Sequence, residues 1–274
     1  MLQRVVRATA ARRRTYWGTQ SWQDQALTKA KAMQAEALAK PKAPVSLETL
    51  RSLPSFRPGI AYVLDALYLA PTSRSTAERT MRSCRGEVFM KKDAGLAPLP
   101  ASRAAQTTAS GSGFEPLPEG AAEPSAEEFE ALAREWRSAT GAQRVVIQGD
   151  GDPLAAADVV VDVLRLAAGG AGAKFRLNTL GLGATDAILE ALPLVDTVSV
   201  FLPAADATKY DELLRPRAPG GFDEACAFVQ KAAASGARVE VTAVDRPDVS
   251  VADVESLARR LGAKDFRTRS WLGD

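Results

Sequence analysis

The amino-acid sequence predicts an α/β fold, an open or partial (β/α)6 barrel with an N-terminal helical arm and a long Pro/Gly/Ala-rich loop. Short β-branched runs alternate with amphipathic helical stretches over most of the chain. Strands that are joined by helices form right-handed crossovers, which produce a parallel sheet. The chain has 274 residues, 46% of them hydrophobic and 25% charged, which is enough for one sizeable core. We therefore expect one main domain, over residues 60–274.

Residues 1–19 form a basic segment. Its arginines are Arg4, Arg7, Arg12, Arg13 and Arg14. They are interleaved with apolar and small residues, and no acidic residue precedes Asp24. This composition is typical of a mitochondrial targeting segment, and a solvated basic tail is the alternative. The segment predicts a mitochondrial location on the matrix side and leaves open whether it is cleaved.

Residues 20–59 are predicted to be a helical arm and linker. The helix spans residues 20–40 and ends before Pro41. One side of it carries a narrow, alanine-rich apolar stripe, made of Trp22, Ala26, Ala30, Met33 and Ala37. Such a helix buries too little surface to be stable alone. It is expected to pack either on its own barrel or on another subunit, and the sequence leaves both open.

Residues 94–124 are predicted to be a surface loop, because a stretch rich in Pro, Gly, Ser and Ala cannot bury enough surface to fold by itself. The loop ends at a capping box formed by Ser125 and Glu128. A helix follows, with one apolar face made of Phe129, Leu132, Ala133 and Trp136.

The rest of the chain repeats a strand and helix pattern. The predicted strands are IAYVLDALYLA, RVVIQGDGDPL, KFRLNT, VDTVSVFL, ARVEVTAV and DFRTRSW. The predicted helices between them are DVVVDVLRLAA, ATDAILEAL, FDEACAFVQKAAASG and VADVESLARRLG, and Cys226 lies on the inner face of the third. In such folds the chemistry lies at the carboxyl ends of the strands, so the residues just after each strand are the candidate site.

The composition excludes several kinds of site. The chain has no histidine, which removes the most common general base, the Ser-His and Cys-His nucleophile pairs and the most common nitrogen ligand for metals. Two cysteines, Cys84 and Cys226, can form neither a CxxC pair nor a thiolate cluster. A net charge of +2 argues against a dedicated nucleic-acid binder. Charges and prolines interrupt every apolar stretch, so we expect no membrane-spanning helix.

Five segments lie in an order that resembles a known family. They are GDGDPL at 149–154, RLNTLG at 176–181, VSVFLPAADATKY at 198–210, VEVTAV at 239–244 and LGAKDFRTRSW at 261–271. Together they resemble the TatD-linked branch of the radical SAM family, from about Ile60 to Leu272. The resemblance implies a radical-SAM-type barrel and a vestigial pocket for S-adenosylmethionine (SAM). The residues of that pocket would be Asp150, Gly151, Asp152, Pro153, Asn178 and Thr179, whose alternative role is strand-end turn chemistry.

The resemblance also implies that the iron–sulfur ligands are absent. Family members carry a CxxxCxxC motif after the first strand, since three thiolates hold a [4Fe–4S] cluster. The corresponding stretch here is TSRSTAERTMRSC, which places Ser75, Arg79 and Arg82 at the three positions and leaves Cys84 out of register. Two family polar positions have also become Leu180 and Pro203. From these departures we expect no catalytic residue, no metal ion, no cofactor and no enzymatic activity.

The leading hypothesis is a non-catalytic structural accessory subunit of a large mitochondrial assembly, built on a pseudoenzyme barrel. A respiratory-chain or ATP synthase complex is the first candidate. Its other subunits would contact residues 1–59 and the loop 94–124, with peripheral membrane association through the complex, and nucleic acid is not expected as a partner. One alternative is a SAM- or nucleotide-binding enzyme with polar, non-radical chemistry and Asp150 or Asp152 as acid or base. Another is a mitochondrial ribosomal protein or assembly factor.

Overall fold

The computed structural model describes residues 45–86, 117–168 and 174–273. These residues belong to one compact unit, Ala43–Asp274. The predicted basic segment, the helix over 20–40 and residues 94–116 of the predicted loop lie outside the described residues. The domain boundaries therefore stay predictions, although Leu50, assigned to the arm, is fully buried.

The described part contains a sheet of seven strands whose spatial order is their order in the chain. The strands are β1 (Ala61–Val63), β2 (Leu67–Leu69), β3 (Arg144–Ile147), β4 (Lys174–Thr179), β5 (Thr197–Phe201), β6 (Val239–Asp245) and β7 (Asp265–Ser270). β1 and β2 are antiparallel, and every later neighbour pairs in parallel. The sheet is open rather than closed. The prediction of a partial barrel with six parallel strands is therefore confirmed by β2 to β7.

The helices lie between the strands, as crossovers of a parallel sheet require. They are α1 (Leu47–Arg51), α2 (Ala126–Thr140), α3 (Ala157–Ala168), α4 (Asp186–Ala191), α5 (Ala207–Leu214), α6 (Gly221–Ala234) and α7 (Val251–Arg260). Short 3-10 turns occupy Ser83–Arg85, Pro153–Ala156 and Leu192–Leu194. No helix of the described ranges is long and apolar enough to cross a membrane.

The structure differs from the sequence prediction at two elements. The run IAYVLDALYLA is a hairpin rather than one strand, because the chain reverses where Leu64 N donates to Ala66 O. A helix that the sequence pattern did not predict, α5, follows β5. Asp206 caps it by accepting a hydrogen bond from Lys209 N, and its buried side chains are Tyr210, Leu213 and Leu214.

The capping box before α2 is present as predicted. Ser125 Oγ accepts from Glu128 N, and the Glu128 carboxylate accepts from Ser125 N at 2.8 Å. The predicted apolar face, Phe129, Leu132, Ala133 and Trp136, is buried. Glu128 also pairs with Arg57 Nε at 2.9 Å. One carboxylate therefore fixes both the start of α2 and the segment that leads into β1.

The segment after β2 and the end of the chain are joined. Leu272 N donates to Arg85 O at 2.8 Å, and Arg85 Nε donates to Ser270 O at 3.0 Å. Gly86 has a φ of 102°, and a Cβ there would lie 2.1 Å from Gly273 O. Only glycine allows this approach, so residues 85 and 86 are held against the tail that follows β7.

The two faces of the sheet have opposite character. In β4, Phe175 and Leu177 are buried in the core that the helices cover, while Arg176 and Asn178 alternate with them on the other face. The parallel register places Asn178 beside Ser199. The next strand adds Glu240 beside Ser199. The inner face of the barrel is therefore polar, and the helix-covered face is apolar.

Candidate functional site

The centre of the polar face is an ion pair between Arg176 of β4 and Glu240 of β6. Both side chains are largely withdrawn from water, with 14% and 15% of their surface exposed. Arg176 Nε also donates to Asn178 Oδ1 at 2.7 Å. Ser199 Oγ of β5 donates to Glu240 Oε1 at 3.1 Å. Burial raises the pKa of Glu240, but the hydrogen bond and charge of Arg176 outweigh it, so the pKa lies below its usual range.

Asn178 connects this ion pair to the loop after β3. Its Nδ2 donates to Gln148 Oε1, while its Oδ1 accepts from Arg176. The amide is therefore occupied on both sides by protein groups. This network extends from the end of β3 to β6, across four neighbouring strands.

Asp152 is a buried carboxylate that its own loop and the next strand satisfy. Its Oδ1 accepts from Leu154 N at 2.9 Å and from Thr179 Oγ1 at 2.8 Å. Its Oδ2 accepts from Leu180 N at 2.6 Å. Burial raises the pKa of Asp152 to about 6, although the three hydrogen bonds lower it. Both oxygens are used internally, so Asp152 positions the ends of β3 and β4.

The glycine of this loop is required by a neighbouring backbone. Asp152 N donates to Arg74 O at 2.9 Å. A Cβ on Gly151 would lie 2.1 Å from the same Arg74 oxygen. The GDGDP loop is therefore packed directly on the segment that follows β2, which is the segment where the resemblance places the cluster motif.

The three residues aligned with the cluster cysteines lie in different surroundings. Arg82 Nη1 pairs with Asp150 Oδ1 at 3.1 Å. Ser75 O accepts from Arg217 Nε at 2.9 Å, and Ser75 Oγ accepts from a nearby backbone N–H. Arg79 is exposed. The structure therefore brings Arg82 to the predicted pocket, places Ser75 beside it and leaves Arg79 outside.

Both cysteines are free thiols. Cys84 is buried, with its Sγ 3.5 Å from Leu213 O, and burial raises its pKa to about 11. Cys226 lies on α6, is partly exposed and also has a pKa raised to about 11 by burial. A thiol with a raised pKa is a poor metal ligand, because metals bind the thiolate. Within the described ranges, no three His, Cys, Asp or Glu side chains are grouped to hold a metal ion.

A cavity of about 70 Å³ lies at the carboxyl ends of the strands. All six residues of the predicted pocket line it, namely Asp150, Gly151, Asp152, Pro153, Asn178 and Thr179. Leu180 also lines it, as the sequence comparison implied. An open cleft adjoins the cavity, since Thr80, Arg82 and Asp150 line both, and Ser75 lies in that cleft. Pro203, the other changed family position, does not line the cavity.

Apart from Thr80 and Gln148, which lie outside the strands, the sequence prediction missed four polar residues of the cavity wall. They are Arg176, Ser199, Thr242 and Arg269. All four lie within strands rather than after them. The alternation of polar and apolar residues inside β4 to β7 could have indicated these residues, because it predicts a sheet with one polar face.

No protein-family model matches the chain, and no curated protein matches it. Among solved structures it is similar to SuiB of Streptococcus suis bound to the precursor peptide SuiA, with a TM-score of 0.52 and 14% identity over 77% of this chain and 40% of SuiB. SuiB bound to S-adenosylmethionine matches with a TM-score of 0.47 and 18% identity over 56% of this chain and 35% of SuiB. TYW1 with a lysine-pyruvate adduct matches with a TM-score of 0.41 and 10% identity over 54% and 48% of the two chains.

The similarity to the SuiB complex with SuiA, which has a TM-score above 0.5, shows a radical-SAM-type fold. It also corrects one expectation, because SuiB is a radical SAM enzyme and the fold is therefore one that an enzyme uses. The prediction that the chain is not an enzyme is contradicted. That prediction was inferred from the missing thiolates and from the changes at Leu180 and Pro203. The chain spans less than half of each of these proteins, and their ligands and substrates remain theirs.

Proposed function

We propose that the chain is an accessory subunit of a large mitochondrial assembly, with a radical-SAM-type barrel as its folded part. A respiratory-chain or ATP synthase complex is the first candidate, and the mitochondrial ribosome or an assembly factor is the second. The proposal is supported by the basic segment 1–19 and by two long segments outside the barrel elements, residues 20–59 and 94–124, that carry no recognisable catalytic motif.

We further propose that the barrel derives from the TatD-linked branch and has lost the iron–sulfur cluster. The observation that carries this is the ion pair between Arg82 and Asp150, which occupies the third cluster position with a guanidinium. A cluster of this kind needs three thiolates. The nearest thiol in sequence, Cys84, is buried against a carbonyl oxygen. The donors present do not fit the cluster, so no reaction step is assigned to it.

The assembly role is tested by native-gel fractionation of mitochondria, followed by mass spectrometry of each fraction. We expect the full-length chain to migrate with one mature complex at a constant ratio to its known subunits. Migration as a free protein, or only with incomplete assemblies, would contradict a permanent subunit. Residence on the ribosome would show instead as co-sedimentation with ribosomal subunits that is lost when the subunits are dissociated.

The loss of the cluster is tested on protein that is purified anaerobically after iron and sulfide reconstitution. We expect no stoichiometric iron and no absorption at about 400 nm, where thiolate-bound clusters absorb. The double variant Cys84→Ser with Cys226→Ser is the matched control, and its iron content should equal that of the wild type. Stoichiometric iron that the double variant loses would overturn this part of the proposal.

A second candidate is an enzyme that binds SAM or a nucleotide and performs polar chemistry. The polar wall of the cavity favours it. Asp150 is the candidate acid or base, because its side chain is 37% exposed and lines both the cavity and the cleft. Asp152 is unsuited to that role, since protein donors occupy both of its oxygens. Calorimetric titration with SAM and with ATP tests this candidate. Binding that Asp150→Asn weakens would support it, and absence of heat with both would oppose it.

A further inference from the structure

The arginines that line the cavity differ in how they are neutralised. Arg82 pairs with Asp150 and Arg176 pairs with Glu240. The side chain of Arg269 of β7 makes no hydrogen bond or ion pair with any residue of the described ranges, and its Nε is buried without a partner. A buried N–H that lacks an acceptor costs free energy. Arg82 Nε is also buried without an acceptor, but its Nη1 pairs with Asp150, so Arg269 is the cavity arginine whose guanidinium has no acceptor among the described residues.

The surroundings of Arg269 are positive rather than neutral. Burial, together with the charges of Arg267 and Arg85, lowers the pKa of Arg269, and Glu240 opposes this effect. Glu240 is already paired with Arg176, while Arg267 is exposed on the same strand and has no carboxylate within ion-pair distance among the described residues. Arg267 and Arg85 therefore add positive charge near Arg269, although neither lines the cavity.

The carboxylates at the cavity do not compensate Arg269. Asp150 accepts from Arg82, and Asp152 turns both oxygens toward protein donors. The hydroxyls of Ser199 and Thr242 line the same cavity but donate to Glu240 Oε1, at 3.1 and 3.4 Å. A guanidinium that has no protein acceptor is suited to bind an oxyanion through charge-assisted hydrogen bonds. The volume of about 70 Å³ admits a small oxyanion but no complete nucleotide.

We propose that the cavity is an oxyanion site in which Arg269 binds a phosphate or carboxylate group, and that the rest of the ligand extends into the adjoining cleft. The site lies at the mouth of the barrel, where the arginine-bearing segment after β2 meets the strand ends. The proposal does not depend on the assembly role, and it would hold for a subunit and for an enzyme alike.

The test is calorimetric titration of the full-length protein with inorganic phosphate and, separately, with succinate, at constant ionic strength. We expect the wild type to bind at least one of the two. Arg269→Gln should weaken that binding by at least about tenfold, the loss expected for a charge-assisted contact. Arg260→Gln is the matched control, because Arg260 is an exposed arginine at the end of α7 and its loss changes the net charge equally.

Arg269→Lys keeps the charge and loses the two-pronged geometry, so it should bind with an intermediate affinity. It also keeps the proposal testable if the Gln variant fails to fold, which the melting temperature of each variant reports. Failure of the folded wild type to bind both probes would overturn the proposal. Equal affinity of the wild type with the Arg269 variants would overturn it too. A higher affinity for phosphate than for succinate would identify a phosphate group in the ligand, and the reverse order would identify a carboxylate. The native-gel result is independent of these outcomes.

Discussion

At the scale of single residues, the barrel mouth buries charge in two ways. Glu240 is neutralised by an opposite charge on a neighbouring strand, whereas Asp152 is surrounded by neutral donors. Asp152 could be singled out from the sequence because it follows a strand in a Gly-Asp-Pro turn. Its partners could not, because two of the three donors are backbone N–H groups, of Leu154 and Leu180, and a backbone N–H has no signature in the sequence.

The raised pKa of Asp152 makes stability depend on pH. Its folded pKa, about 6, lies above the ordinary value of 3.8. The folded state therefore binds the proton more tightly, so this contribution to stability is complete below about pH 4 and is lost as the pH rises through about 6. The free energy of unfolding of the wild type, relative to Asp152→Asn, should fall by up to about 3 kcal/mol over this range. Urea titrations from pH 4 to pH 7 measure it, and a constant difference would contradict the assignment.

Arg176 is expected to stabilise the folded state mainly because Glu240 is buried beside it. Arg176→Met should lower the free energy of unfolding by about 3–5 kcal/mol, since it leaves an uncompensated carboxylate. The matched control is Arg176→Met with Glu240→Gln, which removes the charge as well and should recover most of the loss. Chemical denaturation of the three proteins gives the comparison. If the double variant is no more stable than the single one, the ion pair is not the cause.

At the scale of elements, the helices and parallel strands were predictable where apolar periodicity was strong. The alternation in KFRLNT and the apolar face of VADVESLARRLG both correspond to described elements, β4 and α7. The hairpin of β1 and β2 was not predictable from this pattern. Asp65 is the only charged residue in an otherwise apolar run, and the run contains no glycine or proline to indicate a turn. Helix α5 was missed because it is short and carries only three buried side chains.

The cap of α2 gives a prediction at this scale. Ser125→Ala removes the hydroxyl that accepts from Glu128 N and should cost about 1 kcal/mol of stability. Ser138→Ala, on the exposed side of the same helix, is the control and should change stability by less than about 0.5 kcal/mol. Thermal denaturation by circular dichroism reports both. Equal effects of the two substitutions would show that the cap does not determine the stability of this helix.

At the scale of the whole molecule, the polar inner face and the apolar helix-covered face explain why the fold was easier to predict than the site. Strands and helices that are buried against each other have apolar residues at regular spacing in the sequence, so the architecture could be inferred. The contacts of the cavity join residues far apart in the chain, such as Arg176 with Glu240 and Arg82 with Asp150. No local spacing in the sequence encodes such pairs.

The two thiols should report on opening of the whole barrel. Cys84 is 3% exposed, whereas Cys226 is only partly buried. In the variant Cys226→Ser, labelling of Cys84 by an uncharged thiol reagent should follow global unfolding and should slow in step with added stabiliser. In the variant Cys84→Ser, labelling of Cys226 should be faster and should depend less on added stabiliser. Similar rates for the two variants under native conditions would contradict the described burial.

The contact between Arg85 and the end of β7 has a mechanical consequence. Two hydrogen bonds, through Leu272 N and Ser270 O, fix Arg85 to the end of this strand. A displacement of the segment that carries Arg82 and Arg85 would therefore also move β7, the strand on which Arg269 lies.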